Sequence, residues 1–220
     1  MYALIVFDWD GTIVDSESRI TGCMQATMVQ LGLPVRDKKS VRNIIGLGLT
    51  EAIMALYPDI DPPAIQQFIA RYRDHFFAHE QTPSPLFSGI EAMLAELQTP
   101  NLQLAVATGK GRKGLDRVLN NTALGKYFSA SRCSDETQSK PHPQMLLELL
   151  DECSVSPART IMIGDTTYDM EMANRAGVDA IAVTYGVHEV AELSAHKPKY
   201  IADSVTDLSH WIRASLQNIS

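Results

Sequence analysis

Asp8-Trp9-Asp10-Gly11-Thr12 follows the apolar run Ala3-Leu4-Ile5-Val6-Phe7, so a short strand ends by presenting two acids two positions apart. If the extended conformation continues, Asp8 and Asp10 project to one face and Trp9 to the other. Two carboxylates held this close repel, and the arrangement is tolerable when a cation sits between them or one keeps its proton. That is a place for metal-assisted acid–base or nucleophilic chemistry. The same residues carry a second signal, because Asp-Gly between apolar runs marks a hairpin turn, with Ile13-Val14 as the returning strand. The two readings are compatible.

The elements that must position these acids are legible as alternating strands and helices. Apolar runs at 102–107, 128–131, 160–163 and 180–184 read as buried strands, and a helical pattern follows most of them. Pro141 suits the first turn of a helix that carries Met145, Leu146, Leu149, Leu150 and Cys153 on one face. Ser204 with Asp207 reads as an amino-terminal cap before Leu208, Trp211, Ile212 and Leu216. This alternation predicts an α/β fold, a doubly wound, Rossmann-like parallel sheet covered on both faces. Residues 15–85 break the rhythm. They hold proline-punctuated amphipathic helices, one striped by Ile20, Cys23, Met24, Met28 and Leu31, another by Ile65, Phe68, Ile69, Tyr72 and Phe76. The expected organisation is a core of 1–14 and 86–220 with an all-helical cap, 15–85, inserted after the first strand.

Open parallel sheets bind ligands at the carboxyl ends of their strands. There the first strand delivers Asp8 and Asp10, the second Thr108-Gly109-Lys110, and another Gly164-Asp165 followed by Asp169; Lys140 precedes Pro141 between them. Singly, these are a loop start, a solvated lysine and a capped turn. Jointly they suit hydrolysis of a phosphate monoester. A carboxylate can attack phosphorus and divide one difficult step into two. Magnesium, an oxygen-seeking cation, offsets the repulsion, and Asp8 and Asp165 suit its coordination, with Asp169 ligating it or orienting a water. Lys140 and the Thr108 hydroxyl would hold non-bridging oxygens, while Asp10, with a raised pKa, would serve as general acid and then base.

With these residues assembled, the chain resembles the haloacid dehalogenase superfamily of phosphohydrolases, in particular its phosphoglycolate phosphatase-like branch with a helical cap. The resemblance rests on Asp8-x-Asp10-Gly11-Thr12, Thr108, Lys140 and Gly164-Asp165-x-x-x-Asp169 in that order. It implies Asp8 as nucleophile and Asp10 as acid/base. It implies Mg2+ held by the Asp8 carboxylate, the Asp10 backbone carbonyl and Asp165, with Asp169 in support. Thr108 and Lys140 would bind the phosphoryl group, with Gly109 allowing close backbone approach and Lys110 adding positive field. The residues after Asp10 would form a short flap. Asp10 argues against true dehalogenases and phosphonoacetaldehyde hydrolases. A sugar-phosphate mutase and a receiver-like phosphate-sensing module are the alternatives.

The 220 residues carry ordinary hydrophobic (45%) and charged (20%) fractions, and a net charge of −7 offers no general basic field for nucleic acid or acidic membranes. Three scattered cysteines, Cys23, Cys133 and Cys153, form no disulfide or zinc pattern, and the first apolar run is too short for a signal peptide or span. The expected setting is the cytoplasm. The expected partner is a small phosphorylated metabolite: phosphoglycolate, a sugar phosphate, a nucleoside monophosphate or pyrophosphate. The expected protein is a monomer or homodimer. Substrate choice should lie in the cap, where 42–49 reads as a helix–helix connector able to face the site, with Arg42 either gripping an anionic tail or in a surface salt bridge. His75 and His79, four apart, read as solvated rather than metal-binding.

Overall fold

The computed structural model describes residues 1–78 and 84–217. Six parallel strands form one sheet: β1 (Leu4–Phe7), β2 (Gln103–Thr108), β3 (Ala130–Cys133), β4 (Thr160–Gly164), β5 (Asp179–Val183) and β6 (Tyr200–Ala202), in the order β3-β2-β1-β4-β5-β6. The order reverses beside β1, and the crevice at the carboxyl ends there is where such sheets bind ligands. β1 pairs with β2 on one side and β4 on the other, so Asp8, Thr108 and Asp165 leave adjacent strands at the same edge.

Alternation along β1 sorts its side chains. Leu4 and Val6 enter one core with Met145, Leu149 and Met170, whereas Ile5, Phe7 and Trp9 enter the other with Ile90, Leu115 and Leu208. The helices that close these cores lie on opposite faces: α7 (Gln144–Cys153), α8 (Thr167–Ala176) and α9 (Val190–Ala195) on the first, α5 (Ile90–Glu96), α6 (Arg112–Thr122) and α10 (Val205–Gln217) on the second. Asp8 continues the Leu4–Val6 face beyond the last strand residue. The expected cap of α10 is present, Ser204 Oγ accepting from the Asp207 N–H at 3.2 Å.

Among the described residues, four helices lie between β1 and α5: α1 (Glu17–Gln30), α2 (Lys38–Arg42), α3 (Leu49–Leu56) and α4 (Pro62–Ala78). They bury a third core of their own from Ile20, Met24, Met28, Ile53, Phe68 and Ile69, which matches both predicted stripes and makes them a helical cap. The chain enters and leaves the cap by paired segments, with Asp15 N–H donating to Pro85 O at 2.9 Å and Phe87 N–H to Ile13 O at 3.1 Å. Among the described residues no helix is long and apolar enough to cross a membrane.

Several local expectations are corrected. Ile13-Val14 is no returning hairpin strand. Gly11 through Val14 turn tightly back on Trp9, whose carbonyl accepts from the N–H groups of Ile13 and Val14 at 2.9 and 3.1 Å, and Val14 bridges to Leu86. Pro141 is outside the helix, which begins at Gln144 after Pro143. The third strand starts at Ala130, where pairing with Ala105 of β2 begins, and Phe128 ahead of it packs edge-on against Phe7 and Trp9 at 6.3 Å. The strand β6 was not expected.

Candidate active site

Asp8, Asp165 and Asp169 are buried at the carboxyl edge of the sheet, each with a carboxylate oxygen within 4.8 Å of the others. Gly11 is required beside them. Its φ of +83° lies in the left-handed region, and a Cβ there would fall 2.1 Å from Asp165 Oδ2. Asp165 is fixed from two directions, Oδ1 accepting from Thr12 Oγ1 at 2.8 Å and Oδ2 from the Val187 N–H at 2.9 Å. Asp169 completes a capping box at the start of α8, where its Oδ2 accepts from the Thr166 N–H at 3.1 Å and Thr166 Oγ1 at 2.7 Å.

Lys140 lies among these acids with a fully buried side chain, its Nζ 2.8 Å from Asp8 Oδ1 and 2.6 Å from Asp169 Oδ1. Burial draws its ammonium toward neutrality, but Asp169 and Asp8 outweigh that and hold it above the ordinary lysine range. Burial, reinforced by Asp169 and Asp165 against the pull of Lys140, lifts Asp8 well above the usual carboxylate range. Burial and Asp169 push Asp165 up to about 7.

A divalent cation fits this environment. Asp8 Oδ2 is buried without a hydrogen-bond partner, and three carboxylates against one ammonium leave two negative charges when all are ionised. Hard oxygen donors are the set that Mg2+ prefers, so the residues present accommodate that ion.

The raised Asp165 has a consequence for the metal-free protein. A carboxyl whose folded pKa exceeds its unfolded value near 3.8 contributes stability that is fully present below that value and lost as pH rises through about 7. Thermal melts in divalent-free buffer are therefore expected to fall between about pH 5 and about pH 8, and Asp165→Asn to fall less. Equal slopes for the two proteins would contradict this origin of the pH dependence.

The other predicted residues lie around the acids. Thr108 ends β2, buried, and its Oγ1 accepts from the Lys110 N–H at 3.1 Å. Asp10 turns its carboxylate away from the three-acid cluster. Its Oδ1 accepts from Ser16 Oγ at 2.7 Å, and Oδ2 is 2.9 Å from Lys110 Nζ. Gly109 lies under the cap connector, where a Cβ would meet Gly46 O and Leu47 O at 2.5 Å, so its smallness serves the docking of the cap loop. Arg42 grips no open space. It donates to Val187 O at 2.8 Å and pairs with Glu17 at 3.3 Å, bolting cap to core. His75 lies 2.9 Å from Gln30 Oε1, and His79 lies outside the described residues.

Sequence reasoning placed Thr12 in the motif without a role and missed Ser16, Thr166 and Ser139, the last accepting from the Gly48 N–H at 2.6 Å. Thr166-x-x-Asp169 carried a readable signal, the capping-box spacing before a helix. Ser16 and Ser139 carried none.

The family described as Haloacid dehalogenase-like hydrolase matches residues 5–183. The probable phosphatase IndB of Dickeya dadantii is 35% identical over 94% of this chain and 92% of its own. A phosphoglycolate phosphatase of Pseudomonas putida is 26% identical over 93% of this chain and 78% of its own. Among solved structures, a predicted phosphatase from Clostridium acetobutylicum superposes with a TM-score of 0.87 at 30% identity, covering 97% of this chain and 99% of that one.

Proposed function

Because the chain belongs to the haloacid dehalogenase-like hydrolases and is a phosphoric monoester hydrolase of that type, we propose that it hydrolyses small phosphomonoesters through a phosphorylated Asp8 with Mg2+ as cofactor. The observation that carries this reading is the buried Asp8, with Oδ2 unpartnered and Oδ1 facing Lys140 at 2.8 Å. Under this reading the chain divides as 1–14 with 86–220, the core, and 15–85, the cap.

The Asp8 carboxylate supplies the attacking electron pair, and the Asp8–phosphorus bond forms as the ester oxygen departs. Asp10 gives that oxygen a proton, then takes one from the water that hydrolyses the acyl phosphate. Ser16 and Lys110 hold the Asp10 carboxylate in position. Thr108, the Gly109 backbone and Lys140 bind the non-bridging oxygens, where a fixed ammonium in a dry site opposes the growing charge. The Asp8 carboxylate, the Asp10 backbone carbonyl, Asp165 and Asp169 would hold or support Mg2+, which when bound neutralises charge and polarises the phosphoryl group. A cytoplasmic setting agrees with three buried, free cysteines.

Phosphate release from a panel of small phosphomonoesters, with magnesium and with EDTA, tests the reading. Release is expected with magnesium and loss of about two orders of magnitude or more with EDTA. Equal release under both conditions would overturn the cofactor assignment, and no release from any compound the function.

A further inference from the structure

The site opens into a chamber of about 770 Å³ between core and cap, a volume typical of pockets that enclose a drug-sized molecule. This space exists with the cap docked on the core. Gly48 N–H donates to Ser139 Oγ at 2.6 Å, Arg42 to Val187 O at 2.8 Å, and the Tyr168 hydroxyl to Asn43 O at 2.7 Å. The volume is thus not that of a cap swung away.

Its lining is aromatic and aliphatic next to the acids. Tyr72 and Phe76 on α4 line it with ring centroids 5.7 Å apart, joined by Ile44, Ile45 and Leu47 of the connector. Lys110 ties this wall to the reacting centre, its Nζ lying 5.2 Å from the Phe76 centroid and 2.9 Å from Asp10 Oδ2. The Tyr72 hydroxyl stays protonated, because burial and then Asp10 raise its pKa well above the ordinary value.

A short anionic leaving group is poorly matched to this surface. It would leave the apolar lining wet, and three of the lining cations are engaged, Lys110 with Asp10, Arg112 with Glu136 and Asp116, and Arg19 with the Phe76 carbonyl at 2.6 Å and the Phe76 ring at 4.2 Å, while Arg73 and Lys113 are exposed. We infer that the leaving alcohol carries a ring of sugar or nucleoside size whose face rests on Tyr72 and Phe76, and that these two residues set specificity against a two-carbon acid such as phosphoglycolate. This rests on the phosphatase reading above.

The test is calorimetric binding to the Asp8→Asn protein, with magnesium present, of phosphoglycolate, a hexose 6-phosphate and a nucleoside 5′-monophosphate. At least one ring-bearing compound is expected to bind about tenfold or more tightly than phosphoglycolate, the scale of an aromatic contact. Phe76→Leu and Tyr72→Leu, each added to that protein, are expected to reduce this preference and leave phosphoglycolate binding unchanged. Phosphoglycolate binding as tightly as both ring compounds, binding of neither ring compound, or a preference that survives both substitutions would overturn the inference. Turnover by the wild type tests the phosphatase reading separately, since this assay needs none.

Discussion

Asp8→Asn is expected to lower phosphate release by on the order of 10⁴ or more while leaving the metal-free protein at least as stable as wild type. The two effects have one cause. Asp8 is buried beside Asp165 and Asp169, and its charged form is disfavoured by that burial and by both neighbours, against which Lys140 works only in part. The charge that makes Asp8 a nucleophile is therefore held against the protein's own stability. Asparagine keeps the shape, removes the charge and cannot form the acyl phosphate. Lys140 keeps Asp169 as a partner at 2.6 Å. Phosphate release with magnesium and thermal melts in EDTA, on the same preparation, check both halves. An active variant would remove Asp8 from the chemistry, and an inactive but strongly destabilised one would make the loss structural.

Lys140→Met is expected to cost about 3–5 kcal/mol in divalent-free buffer near neutral pH, because it leaves buried acids without their ammonium. The lysine side chain is wholly buried between Asp8 and Asp169, so solvent cannot replace it. The loss should shrink as pH falls and the clustered acids take up protons, since the raised pKa of Asp8 and Asp165 places that uptake above the ordinary carboxylate range. It should also shrink when magnesium is added, if that cation occupies the acids as proposed. Urea unfolding with and without magnesium, at two pH values, reads all three effects. A variant as stable as wild type in EDTA would mean the acids are already neutral there.

How much of this was legible in the sequence depends on the range over which each feature is encoded. Asp8, Thr108 and Asp165 end or directly follow apolar runs, so locating the strands located them, and parallel pairing then required them to converge. The stripes of α1 and α4 likewise followed from periodicity within single helices. The partners that fix the site were hidden because they lie on other elements. Thr12 and Asp165 are 153 positions apart, and Ser139 meets Gly48 from 91 positions away. Arg42 could be read as a substrate contact because its anchor, the Val187 carbonyl, carries no sequence signal at all. The β6 strand failed for a related reason: three residues, Tyr200–Ala202, at the edge of the sheet are too few to show a period. Pro141 misled because a proline that opens a helix and one that precedes it look alike in a local window.

The most direct measurement of the central claim is acid quenching within a single turnover, followed by mass spectrometric mapping of the phosphoryl group. Asp10→Asn acting on an aryl phosphate is the better system for it, since that leaving group departs without a proton from Asp10 while loss of the proposed base for the second step should make the acyl phosphate accumulate. The account predicts a hydroxylamine-labile phosphoryl group on the peptide containing Asp8, absent when Asp8→Asn is also present. Turnover by the wild type with no phosphoryl group on Asp8 at any quench time, in either protein, would contradict it.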